Sequence, residues 1–395
     1  MSALPKGDLK KRFALPPVPT TGPGKGCGGR KLLLKTRDYS PVYWDKYFEN
    51  KHDVKTRQDD TFRVYDCGNK GPVLFFLHGG GFSALSWALL SATVSHLVTC
   101  RCAAMDLRGH GDSVTSNDKD LSLDTMSRDV ADVIDVLYGD TPPQIILVGH
   151  SMGGAIAVNT ANKELIPSLA GLCVIDVVEG TALDALSSMQ SFLRGRPKSF
   201  KTLDMVVEWI VRTGQIKNID SARVSMVGQV KCVDTNETAS SELEQVHSSS
   251  ETIIEEDEEH PGEKLPDSSP NGSSELRQNE DSSSFSAPQG PHSYTWRIDL
   301  AETEQFWKGW FQGLSQKFLS CSVPKMLILA GMDRLDKDLT IGQMQGKFQL
   351  QVLPQSGHVV HEDCPDKVAD VLATYLVRHK MAEPTTDFER TVPYC

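Results

Sequence analysis

The stretch Gly149-His150-Ser151-Met152-Gly153-Gly154 constrains this chain more than any other. It follows the apolar run Ile145-Ile146-Leu147-Val148 and precedes Ala155-Ile156-Ala157-Val158. The first run reads as a buried strand, and the small-residue segment reads as the start of a helix. Glycines at 149 and 153 let strand and helix meet at a turn too tight for side chains. Ser151 then sits at the apex in a strained backbone conformation. Such a turn exposes the Ser151 hydroxyl and leaves the Met152 N–H at the helix start, facing any oxygen bound there. The motif predicts a nucleophilic serine.

A nucleophilic serine needs a base, an acid to orient the base, and a second donor for the oxyanion. A donor loop lies upstream, where the apolar strand Pro72-Val73-Leu74-Phe75-Phe76-Leu77 runs into His78-Gly79-Gly80-Gly81. Glycines there allow a backbone N–H to approach a reacting carbonyl, which makes Gly80 and Gly81 the candidate donors alongside Met152.

The base follows from chain order, since in this kind of site the acid and then the histidine come after the serine. His247, His260 and His292 lie in a polar acidic tract, and His379 ends an amphipathic helix. His358 and His361 remain, and His358 is preferred because it follows the alternating strand Phe348–Leu353 and the turn Pro354-Gln355-Ser356-Gly357. The His-x-x-His spacing carries no zinc-site context, so no metal is expected. For the acid, Asp176 and Asp333 each end an apolar run, Leu172–Ile175 and Met326–Met332. Both would emerge at the carboxyl edge of a parallel sheet. The residues alone leave the choice between them open.

Strands near 61–66, 72–77, 99–105, 145–150, 170–176, 325–332 and 348–353 alternate with helical patterns. That alternation predicts an α/β fold, with a mostly parallel central sheet and helices on both faces. The core is expected over 39–180 and 320–385. Residues 181–319 interrupt the alternation and read as a helical cap. Its helices are expected over 182–230 and 294–319, with apolar faces supplied by Trp209, Trp296, Phe306, Trp307, Trp310 and Phe311. The loop Asp106–Ser113 reads as scaffolding at the active edge.

Within the cap, 233–293 is rich in Ser, Glu, Asp and Pro. Between Asp234 and His292 stand 15 acidic and 2 basic residues, so a chain of net charge −11 is slightly positive elsewhere. A tract of this composition is expected to stay disordered and to be removable without effect on melting or turnover. Residues 1–38 form a basic, Gly- and Pro-rich tail, and 386–395 a C-terminal one. No apolar leader segment and no span long enough for a membrane helix are present, and nothing points to nucleic acid. The 9 cysteines, an odd number scattered through strands, suit a reducing compartment, cytoplasmic or nuclear.

Several of these segments together resemble the protein phosphatase methylesterases, serine esterases of the α/β-hydrolase superfamily. The resemblance runs over most of 40–232 and 294–385. It is carried by His78–Gly81, Gly149–Gly154, Ile175-Asp176-Val177-Val178-Glu179-Gly180, Ser221–Val230, Asp333–Asp338 and Gly357-His358. The cap stretch Ser221–Val230 is the most telling, because serine turns of this kind are shared by many unrelated esterases. The resemblance implies an α/β-hydrolase fold and a triad of Ser151, Asp176 and His358. It also implies demethylation of the C-terminal leucine methyl ester of the protein phosphatase 2A catalytic subunit through an acyl-enzyme, without cofactor. It further implies stable binding to inactive phosphatase. The acidic insert matches the family's in character and not in sequence.

Overall fold

The computed structural model describes residues 37–56, 59–256, 293–386 and 388. The tail 1–36 and the stretch 257–292 lie outside the described residues, as does most of 387–395. In chain order the strands are β1 (Asn50–Lys55), β2 (Thr61–Cys67), β3 (Val73–Leu77), β4 (Arg101–Met105), β5 (Ile145–His150), β6 (Leu169–Ile175), β7 (Val230–Cys232), β8 (Tyr294–Trp296), β9 (Lys325–Leu329) and β10 (Gln349–Val352). Eight of them form one sheet in the order β1-β2-β4-β3-β5-β6-β9-β10. From β4 to β10 the pairs are parallel, while β1 and β2 add an antiparallel edge.

The central strands are apolar throughout because both sheet faces are covered. Along β3, Leu74 and Phe76 enter one buried cluster, and Val73, Phe75 and Leu77 enter the cluster on the other face. β5 divides likewise, with Ile146 and Val148 on the first face and Ile145 and Leu147 on the second. The register brings the carboxyl ends level: Leu77 pairs with Gly149, His150 with Ile175, and Ile175 with Ile328. Ser151, Asp176 and the His78 loop therefore leave the sheet at one edge.

β1 has no counterpart among the strands expected from sequence. It is an edge strand that is mostly exposed, so its apolar signal is weak. The cap also departs from expectation. Helices occupy Glu179–Arg194, Leu203–Arg212, Ile219–Ser225, Glu304–Phe311 and Leu314–Ser320, but residues 230–232 and 294–296 pair as the antiparallel strands β7 and β8. The cap is continuous with the core. Phe200, Val206, Ile210, Val224 and Met226 share a cluster with Leu85, Trp87 and Val360. Trp307, Trp310 and Phe311 are buried against the other face, and Trp209, Trp296 and Phe306 are partly buried.

The expectation that 233–293 is disordered needs correction at its start. A helix spans Ala239–Glu256. Its entry is docked on Asp112, which accepts from Thr238 Oγ1, from Ser240 Oγ at 2.9 Å and from Ser241 Oγ at 3.0 Å. Glu244 pairs with Lys51, and the His247 ring stacks on Tyr43 at 4.6 Å. Composition missed this because, among the described residues, only Ala239 and Leu243 supply apolar contact with the core, and the rest of the docking is polar contacts with distant segments. Deleting 235–290 is therefore expected to cost about 1–3 kcal/mol, seen as a fall of several degrees in the melting temperature. Thermal denaturation of the deletion beside the parent chain tests this, and coincident melts would return the tract to an inert loop.

Candidate active site

The turn after β5 is as tight as its glycines suggest. A Cβ on Gly149 would stand 2.3 Å from the Gly153 carbonyl oxygen, and one on Gly153 would stand 2.2 Å from that of Leu77. No larger residue fits either position. Ser151 adopts φ 52° and ψ −119°, a region that costs a non-glycine residue about 1–3 kcal/mol. Its N–H donates to the Ile175 carbonyl at 3.0 Å, which holds the turn against β6.

Three sequence candidates meet here. His358 Nε2 lies 3.1 Å from Ser151 Oγ, and His358 Nδ1 lies 2.8 Å from Asp176 Oδ2. With the Nδ1 proton donated to the carboxylate, Nε2 is left as an acceptor for the serine hydroxyl. Asp176 is fully buried and, like Ser151, has a positive φ of 52°. That turn lets its N–H donate to the Ile328 carbonyl at 2.8 Å while Oδ1 accepts from Ala330 N–H at 2.9 Å. Asp333, the other candidate acid, is exposed on the turn after β9, while the carboxylate on His358 Nδ1 is that of Asp176. His361 is buried, stacked on Trp87 at 4.1 Å, and makes no hydrogen bond through either ring nitrogen. Burial holds it down to about 3, so it stays neutral.

The oxyanion donors divide. A Cβ on Gly80 would stand 3.7 Å from Met152 Sδ, so the two residues are neighbours. Met152 begins the helix Met152–Asn162, where a first-turn N–H has no intrahelical partner. Gly81 is a correction, because its N–H is already donated to His110 Nε2 at 2.9 Å. It braces the loop and is not available to a substrate oxygen. Leu300 from the cap covers these glycines, since a Cβ on Gly81 would come within 2.8 Å of it.

Sequence reasoning missed the braces. His150 Nε2 donates to the His358 carbonyl at 3.0 Å, tying the base loop to β5. His78 Nε2 accepts from Leu107 N–H at 3.0 Å. Burial keeps His78 and His150 well below the ordinary histidine range and His110 down to about 4. All three are thus neutral rings able to accept as well as donate. Asp106, pushed up to about 7 by burial and then by Asp112, accepts the Ala84 N–H at 2.6 Å. His110, Asp106 and Asp112 all belong to the Asp106–Ser113 loop, whose reading as scaffolding already carried the signal. Arg334 fell within the Asp333–Asp338 stretch of the resemblance but was given no role, yet its guanidinium bonds Asp176 Oδ2.

No group of His, Cys, Asp and Glu that could hold a metal ion occurs among the described residues. Cys67, Cys100, Cys102, Cys173, Cys321 and Cys364 are free thiols, and no described helix is long and apolar enough to cross a membrane.

Known proteins share this architecture. The alpha/beta hydrolase family model matches residues 74–237 and 256–371. Human protein phosphatase methylesterase 1 is 54% identical over 403 residues, covering 100% of both chains. The probable protein phosphatase methylesterase 1 of Caenorhabditis elegans is 41% identical over 93% of this chain and 84% of its own. That of Yarrowia lipolytica is 37% identical over 89% and 76%. Among solved structures, E-2-(acetamidomethylene)succinate hydrolase matches with a TM-score of 0.57 at 18% identity, over 83% of this chain and 98% of that one. An M. tuberculosis esterase matches at 0.54 and 18%, over 83% and 92%. At such identities these two speak to the fold alone. The full-length similarity to relatives from human to yeast goes further: this chain belongs to the protein phosphatase methylesterase family of α/β hydrolases.

Proposed function

We propose that this esterase removes the methyl group from the C-terminal leucine methyl ester of the protein phosphatase 2A catalytic subunit. The observation that carries the chemistry is the line of Asp176, His358 and Ser151, with contacts of 2.8 and 3.1 Å. The identity of the ester is supported by the protein phosphatase methylesterases of human and mouse, 54% identical over the whole chain.

In this reading Ser151 Oγ attacks the ester carbonyl while His358 Nε2 takes the hydroxyl proton. The oxygen that becomes negative is bound by the N–H groups of Gly80 and Met152. Asp176 keeps the imidazole in the required tautomer and faces the charge it acquires. Collapse expels methoxide, which leaves as methanol with the proton from His358. Water then attacks the acyl-enzyme, His358 takes its proton and returns it to Ser151, and a free carboxylate departs. Each step is acyl transfer, carried by Ser151, His358, Asp176 and the two N–H groups.

A chain terminus is part of a large protein, so the cap has to recognise a surface as well as a tail. The reading includes stable binding to the inactive phosphatase, and the free thiols suit a cytoplasmic or nuclear setting. The test is methanol release from the methylated phosphatase beside a methylated peptide of the same tail. Release from the folded phosphatase, with the peptide a poor substrate, is expected. Turnover of soluble esters alone would make the protein a small-molecule esterase. Binding of the phosphatase without turnover of any ester would make it a scaffold.

A further inference from the structure

Asp176 carries more than the Ser151–His358 pair asks of it. Its Oδ1 takes the Ala330 N–H at 2.9 Å, while Oδ2 takes two donors, His358 Nδ1 at 2.8 Å and the Arg334 guanidinium. Imidazole and guanidinium thus share one carboxylate oxygen. The Asp176 side chain is fully buried, and that of Arg334 is 31% exposed. We propose that Arg334 is a positioning residue for the ester hydrolysis, acting on His358 through the Asp176 oxygen that the two share. The inference rests on the reading of Ser151 and His358 as nucleophile and base.

A buried carboxylate needs a partner for its charge, and a neutral imidazole would supply none. Arg334 supplies that charge and holds the carboxylate in the plane that His358 Nδ1 meets. When His358 takes the serine proton, one oxygen faces two cations. A like charge within about 4–6 Å disfavours the second cation, so Arg334 limits how firmly Asp176 holds the protonated imidazole. The partial exposure of Arg334 softens this effect without removing it.

The rings that neighbour His358 are neutral, and the charged groups on its loop are engaged by partners of their own. The His150 ring, 4.7 Å away, is kept neutral by burial, as is His361 behind it. Asp363 on the following helix is engaged by Gly357 N–H at 2.6 Å and Lys217 N–H at 2.8 Å. The Lys217 ammonium is on the Gln355 carbonyl at 2.9 Å. Glu362 turns toward Ser221 of the cap at 2.8 Å and is pushed up to about 8 by burial, so its titration adds equally to the parent and Arg334 variant profiles and cancels in their comparison. Asp333 is exposed next to Arg334 on the same turn. Arg334 is the permanent cation on the shared oxygen.

The experiment is the pH dependence of kcat/KM on a p-nitrophenyl ester for Arg334→Gln, Arg334→Met and Arg334→Lys. Loss of the guanidinium removes a like charge from the oxygen that holds the imidazolium, so the acid limb of the profile should move up. The ratio of kcat/KM at about pH 8 to that at about pH 5.5 should rise roughly tenfold in R334Q and R334M. R334K, which retains a cation, should stay within about threefold of the parent ratio. The methionine variant keeps the aliphatic stem and decides the matter if the glutamine variant does not fold. An unmoved ratio, or a uniform loss at every pH, overturns the inference, because a merely structural brace would produce either one. Failure of a fluorophosphonate to label Ser151 in the parent protein would instead overturn the reading of the site itself.

Discussion

Replacing Ser151 with alanine should abolish ester hydrolysis and fluorophosphonate labelling while leaving the fold intact. The expected loss in kcat is about 10⁴-fold or more, the scale on which triad serines act. The fold should survive because the side chain makes no capping bond and is half-exposed at its turn. Alanine also keeps the Cβ that the backbone at φ 52° already accommodates. His358→Ala should cost about as much, and the double variant little more, since the pair acts as one unit. His361→Ala should keep most activity, because that ring packs on Trp87 and not on Ser151. Full labelling of the Ser151→Ala protein would end the assignment, and an inactive His361→Ala protein would transfer the base.

The second large effect is at the acid. Asp176→Asn should lower turnover by roughly three to four orders of magnitude, because an amide facing His358 Nδ1 favours the wrong tautomer. Phosphatase binding should persist, since Asp176 is buried below the surface that a partner would touch. Some loss of stability is also expected, because the Arg334 guanidinium would lose its counter-charge. Asp333→Asn should change turnover far less, as that carboxylate stands exposed on the turn after β9. Both variants should be measured on a small ester and on the methylated phosphatase. The reverse ranking would restore the later-strand acid.

Much of this site was legible before any coordinates. Gly149, Ser151 and Gly153 announce their turn because a strand and a helix can meet that closely only through glycine, and the requirement is local. The same holds for the central strands, whose unbroken apolar runs mean burial on both faces, and for the loop from His78 to Gly81. Chain order and a strand-end position sufficed to select His358. Where sequence reasoning stalled or erred, the deciding contact joined segments far apart in the chain.

The amino-acid sequence by itself determined a parallel sheet, the exposed serine and the histidine that follows the last strand. Local periodicity and steric limits encode those features directly. Strand ends look alike in sequence, so the residues alone left two aspartates; the resemblance pointed to Asp176, and the tertiary structure puts its carboxylate against His358. The difference lies in the backbone turn at Asp176 and in the placement of β6 between β5 and β9. Only the tertiary structure removed Gly81 from the donors, since His110, which takes its N–H, is 29 residues away. It also docked the start of the acidic tract on Asp112 and set Arg334 on the carboxylate of Asp176. Hydrogen bonds are short and directional, so a polar group's partner depends on where the folded chain places it, and hydrophobic periodicity holds no record of that choice.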